Sequence, residues 1–256
     1  MTPPARGRGR LAAGWLLLLL AGGALGAVTT RPAPEDWQAA LLAERAAKDH
    51  EFATSATSPL AGTLRFSLPA DETVTGEQTM RLGRYTLRAL PGAGELIVQV
   101  FDPARKAIRQ FSGLRYFPPD PGTRVMARLE RLPAPDPVTV TTSRKLEKRF
   151  FRAASLHFTL AGQELVLTAY LTSLDGPGAR EYFVPFQDAT TGAETYEVGR
   201  FLDIPVPAAG DEVLLDFNRA YNPLCNYSPA YNCPLPPREN WLDVSIRAGE
   251  RTYPHE

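Results

Sequence analysis

From Ser58-Pro59 onward, apolar and polar residues alternate with a period of two, in short runs separated by turn residues. Leu64/Phe66/Leu68, Tyr85/Leu87/Ala89 and Leu96/Val98/Val100 read as strands, with Pro91-Gly92-Ala93-Gly94 as the turn between the last two. Val125/Ala127/Leu129 form another, and Val138/Val140 resume after a proline-rich connection. Leu156/Phe158/Leu160 and Leu165/Leu167/Ala169 flank Ala161-Gly162-Gln163-Glu164, a hairpin signature. Residues 183–188, 201–204, 213–217 and 242–246 complete the series. Before Ser58 the period is different. Pro34 suits the first helical position, Glu35 and Asp36 suit the positive end of a helix dipole, and an alanine-rich stretch runs to about Phe52. The pattern predicts a mainly β chain: sandwich or barrel-like antiparallel sheets with one N-terminal helix after a signal peptide.

The helix has an unusual face. Trp37, Leu41, Arg45, Lys48 and Phe52 share one arc of roughly 80°. Two cations therefore stand on the side expected to be buried. Either their stems cover apolar surface while the charges reach water, or Arg45 and Lys48 face an internal anion or carboxylate.

The first 26 residues carry Arg6, Arg8 and Arg10, then an apolar run from Leu11 to Val28, then small residues at Ala24 and Gly26. This is the order of a secretory signal peptide. An uncleaved anchor is the alternative, because 18 uncharged residues just span a bilayer. The expected organisation is a signal peptide over 1–26, a linker and helix over 27–60, an additional β segment over 61–110 and a core β domain over 111–256. The expected location is exported: periplasmic, cell-envelope or extracellular.

Composition enters here. The whole chain has 28 Lys+Arg and 28 Asp+Glu, but removing three leader arginines leaves the mature chain at −3. Neither figure favours nucleic acid, and contact with a membrane is expected only through an uncleaved leader. Only four of the 28 cations are lysine, a bias that suggests a GC-rich bacterial genome. Cys225 and Cys233 both survive cleavage, and an even pair in an exported chain reads first as a disulfide. Two metal ligands or a reactive thiol are the alternatives, although Cys-x7-Cys with scattered histidines does not make a zinc site. No metal or other cofactor is implied.

The motifs of α/β hydrolases, zincins and nucleotide-binding enzymes are missing from the mature sequence. His157 lies in a strand, where a structural role is the simpler reading. The richest polar segment is Asn218 to Asn240, which holds five asparagines, three tyrosines, five of the 24 prolines and both cysteines. So long a connection in a compact domain is usually functional or disordered, and its composition argues against disorder. It reads equally as a polar pocket or as a structural lid. Strand alternation turns Asp188 and Arg200 inward, where they pair with each other or Arg200 receives a ligand carboxylate.

These motifs resemble a family. Asp188-x-Thr190-x-Gly192-x-x-Thr195-Tyr196-x-x-Gly199-Arg200, then Leu215-Asp216-Phe217-Asn218-Arg219-Ala220-Tyr221-Asn222-Pro223, resembles the prokaryotic domain of unknown function 1684 family. Cys225, Cys233-Pro234-Leu235-Pro236-Pro237, Glu239-Asn240 and Ala248-Gly249-Glu250 continue the pattern. Upstream, Phe111-x-Gly113-Leu114-Arg115-Tyr116-Phe117-Pro118-x-Asp120 and Arg45-x-x-Lys48-Asp49 match as well. The resemblance implies shared architecture and a shared polar site, without a reaction. It gathers Arg45, Lys48, Asp188, Arg200, Asn218, Tyr221, Asn222, Glu239 and Asn240 into one candidate ligand-binding set. The expected function is binding of a small polar or anionic molecule near the 218–240 loop. A hydrolase or isomerase using Asp188 or Glu239 as base beside Arg200, and a structural envelope protein, are the alternatives.

Overall fold

The computed structural model describes residues 34–69, 76–91 and 95–254. The leader, the linker to residue 33, turn residues 92–94 and His255 lie outside this range. Helix α1 spans Pro34–Thr54 and buries Trp37, Leu41, Arg45 and Phe52, the stripe that its 3.6-residue period predicts. Among the described residues, no helix is long and apolar enough to cross a membrane.

Four strands follow: β1 (Gly62–Pro69), β2 (Gln78–Leu82), β3 (Tyr85–Pro91) and β4 (Glu95–Phe101). They form an antiparallel sheet in the order β1-β4-β3-β2. The sequence reading missed β2, whose five residues are all exposed, so that no buried face marks it.

The second sheet contains β5 (Arg124–Thr141), β6 (Glu147–Leu160), β7 (Gln163–Leu171), β8 (Glu181–Phe186), β9 (Arg200–Pro205) and β10 (Glu212–Asp216). Its order is β10-β5-β6-β7-β8-β9, and its two edge strands approach each other to give a nearly closed barrel. Leu156, Leu167, Val184, Phe186, Leu215 and Phe217 fill the interior. The β6–β7 turn is the expected hairpin, with Ala161 at φ 51° and Gly162 at φ 76° between the paired residues Leu160 and Gln163.

Two strand expectations are corrected. The runs at 125–130 and 138–140 belong to one strand, because β5 takes up its prolines in a bulge between Arg131 and Asp136. Pro133 and Pro135 lack N–H donors, and the bulge removes them from the ladder. Residues 242–246 are not a strand. Leu242, Val244, Ile246 and Ala248 are buried and the residues between them exposed, so the period of two is real. The segment plugs the barrel core without a ladder of its own.

Candidate functional site: the cavity beneath helix α1

The plug segment needs hydrogen-bond partners for its carbonyls, and Arg200 supplies them. Its guanidinium donates to the carbonyls of Ile246 (2.8 Å), Ala248 and Glu250 (3.3 Å). It also pairs with Asp188 Oδ2 at 2.5 Å. The other Asp188 oxygen accepts from the Thr190 backbone N–H (2.6 Å) and hydroxyl (2.5 Å). Arg200 is 1% exposed. Burial pushes its pKa down, against the opposing pull of Asp188. A planar cation with five N–H groups thus replaces the missing neighbouring strand. Gly199 precedes it at φ 108°, where a Cβ would stand 2.5 Å from the Phe186 carbonyl oxygen.

The plug turns at Gly249, φ 74°, where a Cβ would meet the carbonyl oxygens of Ala220 and Phe217 at 2.5 and 2.7 Å. That turn presents Glu250, a residue 2% exposed, to the underside of α1. Its Oε1 pairs with Lys48 Nζ at 2.5 Å. Its Oε2 accepts from the Asn222 backbone N–H (2.8 Å) and the Tyr227 hydroxyl (2.6 Å). The Lys48 ammonium also stands 5.3 Å from the Tyr221 ring centroid. Lys48 therefore faces an internal carboxylate, the sharper of the two readings of the helix face.

Arg45, one turn earlier, donates to the carbonyls of Phe117 (2.9 Å) and Asn218 (3.0 Å) and lies 4.4 Å from the Tyr116 ring centroid. Among the described residues no carboxylate stands at ion-pairing distance from it. Burial lowers its pKa, partly offset by Tyr116, Glu250 and Asp216. Its Nε and the Tyr116 hydroxyl are both out of solvent and have no hydrogen-bond partner among the described residues. Burial also raises the Tyr116 pKa, so the hydroxyl keeps its proton.

These groups surround a cavity of about 140 Å³ whose walls include Arg45, Lys48, Tyr116, Asn218, Tyr221 and Glu250. At its rim Glu44 and Arg219 pair at 2.8 Å, both half exposed. Four of the nine residues singled out from the sequence therefore line one cavity. Asn222 reaches it from behind through its backbone, while its side chain donates to the Arg251 carbonyl (2.8 Å). Asp188 and Arg200 form the scaffold behind Glu250. Asn218 also has a scaffold role: its amide donates to the Asp120 carbonyl (2.8 Å) and accepts from the Asp120 N–H (2.8 Å). The Tyr221 hydroxyl points to Asp203 (2.6 Å), whose pKa burial raises against that hydrogen bond.

Glu239 and Asn240 lie elsewhere, against β7 and β8. Pro185 has no N–H, and the Tyr170–Phe183 pair sets it opposite Thr168. The Asn240 amide fills that break, accepting from Thr168 N (2.7 Å) and donating to the carbonyls of Thr168 (2.9 Å) and Pro185 (2.8 Å). Glu239 accepts from the Tyr170 hydroxyl (2.8 Å) and Arg152 (3.0 Å). Burial raises its pKa, but its own backbone N–H, Tyr170 and Arg152 together bring it below the ordinary value. Cys225 and Cys233 are free thiols side by side, with the Cys225 N–H donating to Cys233 Sγ at 3.2 Å. His157 stands 3.2 Å from Glu130.

Glu250 and Tyr116 were not singled out as site residues. Both sit in motifs noted in the sequence, and a glutamate straight after an apolar alternation was the available signal.

No curated protein matches the chain. It is similar to an uncharacterized protein of Haloarcula marismortui, whose solution NMR structure shares 34% sequence identity at a TM-score of 0.54. That match covers 85% of this chain and 95% of the other. A family model described as a protein of unknown function, DUF1684, matches residues 109–251, which hold the barrel, the plug and Glu250. By that match the chain belongs to the DUF1684 family.

Proposed function

We propose that this protein is exported and binds a small anion, a carboxylate or a phosphate, in the cavity beneath α1. One observation carries the reading: Arg45 is a buried cation beside that cavity and, among the described residues, has no carboxylate at ion-pairing distance. A buried cation whose burial is only partly offset by its neighbours is costly, and an anion in the cavity would add a counter-charge in direct contact. Lys48, 31% exposed on its side chain and shared with Glu250, offers the entering anion a second cation. The unpartnered Arg45 Nε–H and Tyr116 O–H are two donors that an acceptor-rich ligand would satisfy. At about 140 Å³ the space suits a molecule well below drug size.

Titration calorimetry with acetate, pyruvate and inorganic phosphate tests this. At least one should bind the wild type and bind Lys48→Gln roughly 10-fold more weakly, the loss of one charge-assisted hydrogen bond. Binding by none of the three, or equal binding by the variant, rejects the site. The export reading also has Cys225 and Cys233 join as a disulfide in an oxidising compartment. Mass analysis of the secreted chain should then show both thiols blocked to alkylation until a reductant is added.

A further inference from the structure

The four-stranded sheet is packed the wrong way round. Its register places Leu64, Val100, Leu87 and Met80 in one row across the strands, with Phe66, Val98 and Ala89 in the next. Because side chains alternate along a strand, these rows share a face, and β1–β4 put no charged residue on it. Arg65, Arg81, Arg88 and Gln99 stand on the opposite face. There Thr86, Gln99 and Phe101 are buried, and Arg88 donates to Gln99 at 2.9 Å. An antiparallel sheet covered on one side normally turns its apolar face inward.

Here most of that apolar face is outward, with Val98 at its centre buried. Leu64 is 53% exposed, Phe66 38%, Leu68 46%, Met80 62% and Leu82 65%. Together they expose roughly 500 Å², the size of a patch that usually has a partner. Beside them, all of β2 is exposed at the free edge of the sheet.

We propose that this face is a homodimer interface, in which two copies pack sheet against sheet about a two-fold axis. A two-fold brings a patch against its own copy, and an uncharged face does so without like-charge repulsion. Doubling the five side chains gives roughly 1,000 Å² of buried surface, the lower bound for a specific interface before the rest of the face is added. Aligned packing of two twisted sheets accommodates such contacts. A lipid surface is the competing occupant, and the vesicle arm of the experiment separates the two.

Sedimentation velocity of the full chain over a concentration series decides the matter. A reversible dimer is expected, weakened about 10-fold or more in Leu64→Glu, which buries a carboxylate in an apolar interface. Leu42→Glu, at an exposed position on α1, should leave the dimer intact while matching the charge change. Circular dichroism melts of both variants, taken at a concentration where the wild type is monomeric, should match the wild type, because both side chains are exposed in the single chain. A monomer up to about 100 μM overturns the proposal. So does a dimer equally stable in Leu64→Glu, or a chain that co-sediments with anionic vesicles and does not self-associate.

Discussion

Arg200 and Arg45 are both buried arginines that donate to backbone carbonyls, yet they end in different states. Arg200 has three carbonyl acceptors and a carboxylate, and its surroundings leave no room. Arg45 has two carbonyls and an aromatic ring, no carboxylate at ion-pairing distance among the described residues, and a cavity at its side. A saturated buried charge holds the fold together, whereas an unsaturated one beside free space is poised for a ligand. The sequence placed both arginines in one polar set, and geometry divides that set by satisfaction.

The strongest way to break this comparison is Arg200→Met. It strands the Asp188 carboxylate and three carbonyls in the interior and should cost about 3–5 kcal/mol in urea unfolding. A loss under 1 kcal/mol would mean that the plug does not depend on the clamp. Next comes Asn240→Leu, which leaves Thr168 and Pro185 without their amide partner. It should cost about 2–3 kcal/mol and speed amide exchange at Thr168.

Alkaline titration has a smaller effect per group. Burial raises the pKa of Tyr116, Tyr221 and Tyr227 in the folded state, so the native chain holds phenolic protons that the unfolded chain releases. Stability from these groups is intact below pH 10, the unfolded value, and falls as pH rises above it. Each adds up to about 1.4 kcal/mol per pH unit to the slope while it titrates in the unfolded chain alone. Urea midpoints measured between pH 9 and 11 should show the break, and a flat profile would mean that these hydroxyls are not buried as described. The smallest stability effect should come from Tyr116→Phe, which removes a hydroxyl with no partner. Urea unfolding should change by no more than about 0.5 kcal/mol, while affinity for the small anion drops about 10-fold. A large stability loss with unchanged affinity would reverse the roles assigned to the two arginines.

Much of the fold was legible because burial leaves a period. The helix stripe at 37/41/45/48/52, the barrel strands and the Ala161-Gly162 turn follow directly from spacing. β2 left no such mark, since neither of its faces is buried. The 242–248 segment gave the right faces and the wrong backbone, because alternation reports what is buried and not what pairs with the carbonyls. For the site, the two helix cations were visible as charges on an apolar arc. The role of Asn240 was not, as it depends on a proline lying opposite Thr168 on another strand. Nor was the partition of the polar set, which turns on which donors have acceptors in space.

The carbonyl acceptors of Arg200 lie 46 to 50 residues beyond it in the chain. A growing polypeptide already holds the Asp188 partner of this guanidinium, but its carbonyl acceptors have yet to arrive. Completion of the core waits until residues 246–250 have been made. Under the export proposal, that delay keeps the chain threadable for as long as a secretion channel would need it.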